Sequence, residues 1–115
     1  MPLTLYGIPN CDTVKKARTW LDSRKIAYHF HDYKKQGIDA ASLKRWQILV
    51  GTPVILNQRG TTWRKLADAD KAGLTDTKAI ALMQANPSLI KRPVVEGAKQ
   101  LLVGFSPDDW DKVLG

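Results

Sequence analysis

Residues 6–17 read Tyr6-Gly7-Ile8-Pro9-Asn10-Cys11-Asp12-Thr13-Val14-Lys15-Lys16-Ala17. Just upstream, Leu3-Thr4-Leu5-Tyr6 is a short β-prone run that Gly7, Pro9 and Asn10 break. Downstream, Val14, Ala17 and Leu21 recur at helical spacing with Trp20 beside them, which predicts a helix from Asp12 to Arg24. Asn10 or Cys11 is placed to cap it. Ile26 to His31 alternates and reads as a second strand. Strand, turn, helix, strand makes a βαβ unit, with a cysteine in its first turn.

Further along, Leu43, Trp46 and Val50 form the apolar stripe of a helix over 39–50, and Gly51 is a natural stop. Residues 52–66 read as irregular. Asp76 to Ala85 reads as a helix with Ile80, Leu82 and Met83 inward, ended by Asn86-Pro87. A loop at Lys91-Arg92-Pro93 then feeds a strand. Gln100 to Phe105 reads as its hairpin partner, with the turn at Gly97-Ala98. Ser106-Pro107-Asp108-Asp109 looks like a helix start, with Ser at the cap, Pro at the first position and acids at the positive end. Trp110, Val113 and Leu114 complete that helix. The order is β-α-β, a helical insertion, then β-β-α.

The 115 residues suit one domain, and 43% hydrophobic content suits a globular protein with its own core. No apolar run approaches a membrane span, and the N-terminus does not read as a signal peptide, so the cytoplasm is the expected location. A single cysteine excludes an intramolecular disulfide, and with only two histidines, His29 and His31, a Cys/His zinc site is poorly supplied. No metal or bound cofactor is expected. The net charge of +7 comes from cations scattered along the chain without a block of like charge or a nucleic-acid signature. It reads as a solvated surface able to attract anions, and neither a nucleic acid nor a membrane is expected as partner. His29 and His31 share one face of their strand and read as surface or edge residues. The four tryptophans read as core or pocket wall, with Trp63 able to line a site.

A thiol at the start of a helix meets free backbone N–H groups and the positive end of the dipole. Both favour the thiolate, which is the nucleophile, and the same turn can hold an oxyanion. Lys15 and Lys16 add positive potential. An anionic substrate also needs bidentate donors, which arginine supplies better than lysine. Arg92, before Pro93, and Arg59, in the irregular segment, are the candidates for one anion pocket with Cys11, though sequence alone does not bring them together.

These residues carry a resemblance. Residues 6–17, the run Asn57-Gln58-Arg59-Gly60-Thr61-Thr62-Trp63-Arg64-Lys65-Leu66, the run Pro87-Ser88-Leu89-Ile90-Lys91-Arg92-Pro93-Val94, and Leu102-Val103-Gly104-Phe105 together resemble the arsenate reductase (ArsC)/Spx family. The likeness is greatest to its short YffB-type branch. It implies one thioredoxin-like α/β domain over 1–115, with a mixed sheet, a helical insertion at about 38–90 and a cis peptide at Pro93 facing the active-site cysteine. Carried over, Cys11 is the nucleophile and Arg92 the arginine of an Arg-Pro motif. Asn10, Asp12, Thr13, Lys15 and Pro93 complete the expected substrate-binding set. A second substrate arginine falls at Arg59, with Asn57 and Arg64 as rivals.

Family arsenate reductases attack arsenate with one cysteine, and glutathione or glutaredoxin resolves the adduct. They carry a further arginine after the cis-proline loop, where this chain has Leu101-Leu102-Val103-Gly104-Phe105, and a hydroxyl residue where it has Val14. Each charge-assisted hydrogen bond lost that way costs about 1.5–3 kcal/mol, or about tenfold or more in affinity. Likeness to the YffB-type branch implies a glutathione-dependent thiol reductase, with glutathione as co-substrate, and the two departures suit a thiol or disulfide target better than arsenate. Reduction of arsenate, an oxyanion, is one alternative. An Spx-like protein-binding regulator is the other, although Val14 replaces the second cysteine of the Spx Cys-x-x-Cys switch.

Overall fold

The computed structural model describes residues 3–114. The chain divides into two compact units, residues 1–36 with 92–115, and residues 37–91.

The first unit is built on a four-stranded sheet. It contains β1 (Leu3–Gly7), α1 (Asp12–Ser23), β2 (Tyr28–Asp32), the single turn α2 (Tyr33–Gln36), β3 (Val94–Glu96) and β4 (Leu102–Val103), and a C-terminal helix (Pro107–Leu114). The strand order is β2-β1-β3-β4. β1 and β2 are parallel, while β3 is antiparallel to both β1 and β4. This is the mixed α/β sheet of a thioredoxin-like fold, and the Arg92–Pro93 peptide is cis.

The α1 stripe of Val14, Ala17 and Leu21 is fully buried, and with Leu5, Val95 and Trp110 it makes the core of this unit. Gly7 is where α1 meets the sheet. A Cβ there would lie 2.8 Å from Val14 Cγ2, so a bare backbone is required. Trp110 is anchored edge-on against Phe105 at 4.9 Å and donates Nε1–H to the Gly104 carbonyl at 3.1 Å.

Two expected strands are shorter than the pattern implies. Ile26 N–H bonds back to the Leu21 carbonyl at 3.0 Å and Lys25 takes φ 58, so residues 24–27 finish α1 before β2 begins. β4 holds only the Val103 and Leu102 pairs with Val94 and Val95, because Gly104 turns away at φ 76. β2 is an edge strand, with His29 exposed. His31 is half-buried, its ring 4.7 Å from that of Tyr6.

The second unit is helical, with α3 (Ala40–Val50), α4 (Thr52–Ile55), α5 (Thr61–Arg64), α6 (Asp68–Lys71), α7 (Asp76–Ala85) and a 3-10 turn (Pro87–Leu89). The C-terminal helix of the first unit is α8. Leu43, Trp46, Ile55, Ala79, Met83 and Leu89 are buried. Ile80 and Leu82 are only half-buried, so the α7 stripe runs through Ala79 and Met83. The segment 52–66 is not irregular throughout. Gly51 stops α3, and Pro53 lies in the first turn of α4, where its missing N–H costs nothing. Trp63 is half-buried, with the Lys71 ammonium 5.8 Å from its ring centre.

Candidate active site

The topology gathers one edge of the sheet. Gly7 pairs with Asp32 and Tyr6 with Val94, so the ends of β1 and β2 and the start of β3 lie side by side. The turn carrying Cys11 leaves that edge from β1. Tyr33 leaves it from β2, and Arg92 and Pro93 enter there.

Cys11 is the N-cap of α1, with extended backbone at φ −107 and ψ 124. Its N–H donates to the Ile8 carbonyl at 3.3 Å, and its carbonyl accepts from Lys15 N–H at 2.9 Å. The sulfur makes no capping hydrogen bond. The side chain is half-buried against the core of this unit. The thiol thus has an apolar back, a solvent-facing front and the positive end of α1 beneath it. Asn10, Asp12, Thr13 and Lys15 surround it in sequence, all exposed. Val14 is fully buried, in the core cluster against which Cys11 packs.

Pro93 is buried and Arg92 half-buried. The Pro93 carbonyl accepts from Gly104 N–H at 2.8 Å. The stretch in which family arsenate reductases place a further arginine here supplies a glycine amide that braces the cis-proline loop.

The structure adds Tyr33, which the sequence reading passed over. Its ring is 1% exposed, and it stacks on Tyr6 at 6.2 Å and meets His31 edge-on at 6.0 Å. Tyr6 donates its hydroxyl to Glu96 at 2.7 Å. The Tyr33 hydroxyl has no hydrogen-bond partner among the described residues. Burial pushes its ionisation well above the usual phenol value; Tyr6 and Glu96 add to this, while the Arg92 charge opposes it. In the sequence Tyr33 is only a tyrosine two residues beyond the alternating run of Ile26 to His31.

Arg59, Asn57 and Arg64 lie in the helical unit, so Arg59 belongs to a separate body from Cys11 and Arg92. There the three rivals have distinct roles. Asn57 Oδ1 accepts from Arg59 N–H at 3.1 Å, and Arg64 Nη2 donates to the Arg59 carbonyl at 3.1 Å. Asn57 and Arg64 hold the loop, and Arg59 presents its guanidinium outward. Among the described residues no His/Cys/Asp/Glu cluster could hold a metal ion, and no helix is long and apolar enough to cross a membrane.

The sheet, the cis-proline and a lone thiol at the start of α1 define a thioredoxin-like protein with one cysteine. The ArsC family model matches residues 6–113, and the chain belongs to that family. A solved YffB protein superposes with a TM-score of 0.95 at 56% identity, covering 98% of this chain and 99% of that one. An arsenate reductase (ArsC) related protein from Brucella melitensis superposes with a TM-score of 0.76 at 47% identity, covering 97% and 93%. The global transcriptional regulator Spx of Enterococcus faecalis is 34% identical over 115 residues, spanning 97% of this chain and 86% of that protein.

Proposed function

We propose that this protein is a thiol–disulfide oxidoreductase that uses Cys11 as nucleophile and glutathione as electron donor. The observation that carries the reading is a half-buried thiol at the N-cap position of α1, at the sheet edge shared with Arg92 and cis-Pro93, in a chain with no second cysteine.

The Cys11 thiolate attacks the glutathione sulfur of a mixed disulfide. The S–S bond breaks, the substrate leaves as its thiolate and takes a proton from water, and Cys11 is left glutathionylated. A second glutathione, as thiolate, attacks the glutathione sulfur of that adduct. Oxidised glutathione departs and the Cys11 thiolate returns. The resolving thiol must come from outside, because the chain has none. Arg92 holds the anionic tripeptide through a carboxylate, as a guanidinium fork does well. The reaction belongs in the cytoplasm, where thiols are kept reduced.

Arsenate reduction, with glutathione or glutaredoxin resolving the adduct, is the weaker chemistry. Val14 serves packing, and Gly104, within the stretch that lacks the further arginine, serves loop bracing. Similarity to Spx favours protein binding as a second reading, but Val14 occupies the switch position as a fully buried core residue. A glutathione-coupled assay on a mixed disulfide separates these readings. Activity should fall to background in Cys11→Ser, and full activity in that variant would refute the proposal. An arsenate turnover exceeding the disulfide turnover would reverse the choice of substrate.

A further inference from the structure

Tyr6 and Tyr33 are stacked neighbours whose hydroxyls fare differently. The Tyr6 hydroxyl donates to Glu96 at 2.7 Å. The Tyr33 hydroxyl is closed to solvent and has no hydrogen-bond partner among the described residues. Buried polar groups are nearly always paired, because leaving one unpaired forfeits its hydration. Phenylalanine would keep both ring contacts of Tyr33 without that cost, so packing does not account for the hydroxyl. Nor can the side chain move to find a partner. Asp32 Oδ1 accepts from Lys34 N–H at 2.9 Å and Asp32 N–H donates to Gln36 Oε1 at 3.3 Å, which ties α2 to the end of β2. The ring is held by Tyr6, stacked at 6.2 Å, and by His31, edge-on at 6.0 Å. A partner must therefore come to the hydroxyl.

Tyr6, Arg92 and Glu96 are the ionisable groups whose charge reaches that hydroxyl, and Arg92 is the only cation among them. Its side chain is half-buried and forms no ion pair with a carboxylate among the described residues. The backbone after it is fixed, because Val94 pairs with Tyr6 and Gly104 N–H donates to the Pro93 carbonyl at 2.8 Å. What is left to turn is the Arg92 side chain. A carboxylate engages one edge of a guanidinium as a fork and leaves further N–H groups over. A phenol oxygen beside the fork can accept from one of these.

We propose that Tyr33 is a positioning residue for Arg92: when the guanidinium grips a ligand carboxylate, the Tyr33 oxygen accepts one of its remaining N–H groups and fixes its plane. The inference rests on the reading that Arg92 holds glutathione. Ligand binding then pairs a hydroxyl that the free protein leaves unpaired, so part of the affinity comes from a group the ligand never touches.

The test compares wild type with Tyr33→Phe, which keeps the ring and its contacts. Each is titrated with S-methylglutathione, which carries the carboxylates of glutathione but cannot exchange disulfides. Tyr33→Phe should bind about fivefold more weakly, roughly 1 kcal/mol. In the glutathione-coupled assay its KM for glutathione should rise by a similar factor, with kcat within about twofold of wild type. The ¹⁵N spectrum gives the readout that packing alone would not move. Saturating ligand should slow water exchange at the Arg92 Nε–H in wild type and leave it fast in Tyr33→Phe. Equal affinities, or the same Arg92 exchange in both proteins, would overturn the proposal. So would a fall in kcat as large as the rise in KM. If wild type does not bind the probe saturably, the reading of Arg92 as the glutathione site falls, and this proposal with it. Because the probe does not exchange disulfides, none of the binding outcomes bears on Cys11 as nucleophile.

Discussion

The two long helices of the two units begin differently. α3 starts at Asp39, whose carboxylate accepts from Ser42 N–H at 2.8 Å, an ordinary cap. α1 starts at Cys11, whose sulfur caps nothing and which lies half-buried at the sheet edge. One N-terminus is spent on stability, while the other forgoes a capping bond and keeps a thiol, the proposed nucleophile, at the positive end of the helix. The sheet unit shows the same bias elsewhere, in the unpartnered hydroxyl of Tyr33 near Arg92.

The largest expected effect breaks this comparison outright. Cys11→Ser replaces an idle sulfur with a capping hydroxyl. Turnover should vanish while urea denaturation shows stability unchanged or raised by about 0.5–1 kcal/mol. A loss of 1 kcal/mol or more would mean that the thiol holds the fold.

Glycines sharpen the contrast between the units. Gly104 (φ 76) and Gly73 (φ 60) both need the left-handed region, and a Cβ at either meets nothing within 4 Å. Alanine at each should cost about 1–2 kcal/mol. Only Gly104→Ala should also depress turnover, because Gly104 N–H braces the Pro93 carbonyl. Equal turnover in the two variants would refute that bracing role.

Asp39→Ala should destabilise by about 1 kcal/mol without touching activity, as measured by denaturation and assay together. Tyr33→Phe should be the smallest change in stability at neutral pH, because it removes a hydroxyl with no partner. Its effect should appear in alkali. The unfolded phenol ionises near 10.0, and the folded one only at higher pH. Wild-type stability should therefore be intact below about pH 9 and fall as pH rises through and beyond 10. The variant should lose less over the same range, and equal losses would contradict the burial argument.

The sheet unit was legible because its signals are local. A change of period across Cys11, a glycine-proline turn and a Ser-Pro-Asp helix start each set an element within a few residues. The limits of β2 and β4 were not, since they depend on where α1 finishes its last turn and where Gly104 bends the chain. The helical unit was harder to read. Four-residue helices such as α4 and α5 have too few turns for periodicity, and their starts follow from Gly51, Pro53 and the loop at Asn57. Cys11 and the Arg92–Pro93 pair could be named from motifs. Tyr33 could not, because its ring contacts with Tyr6 and its place near Arg92 arise only from pairings distant in sequence.

The most direct measurement is intact mass of the wild-type protein treated with oxidised glutathione, then with reduced glutathione. The account predicts one glutathionyl group, on Cys11, removed by the second treatment. A protein that stays unmodified, or an adduct that reduced glutathione cannot release, would contradict it.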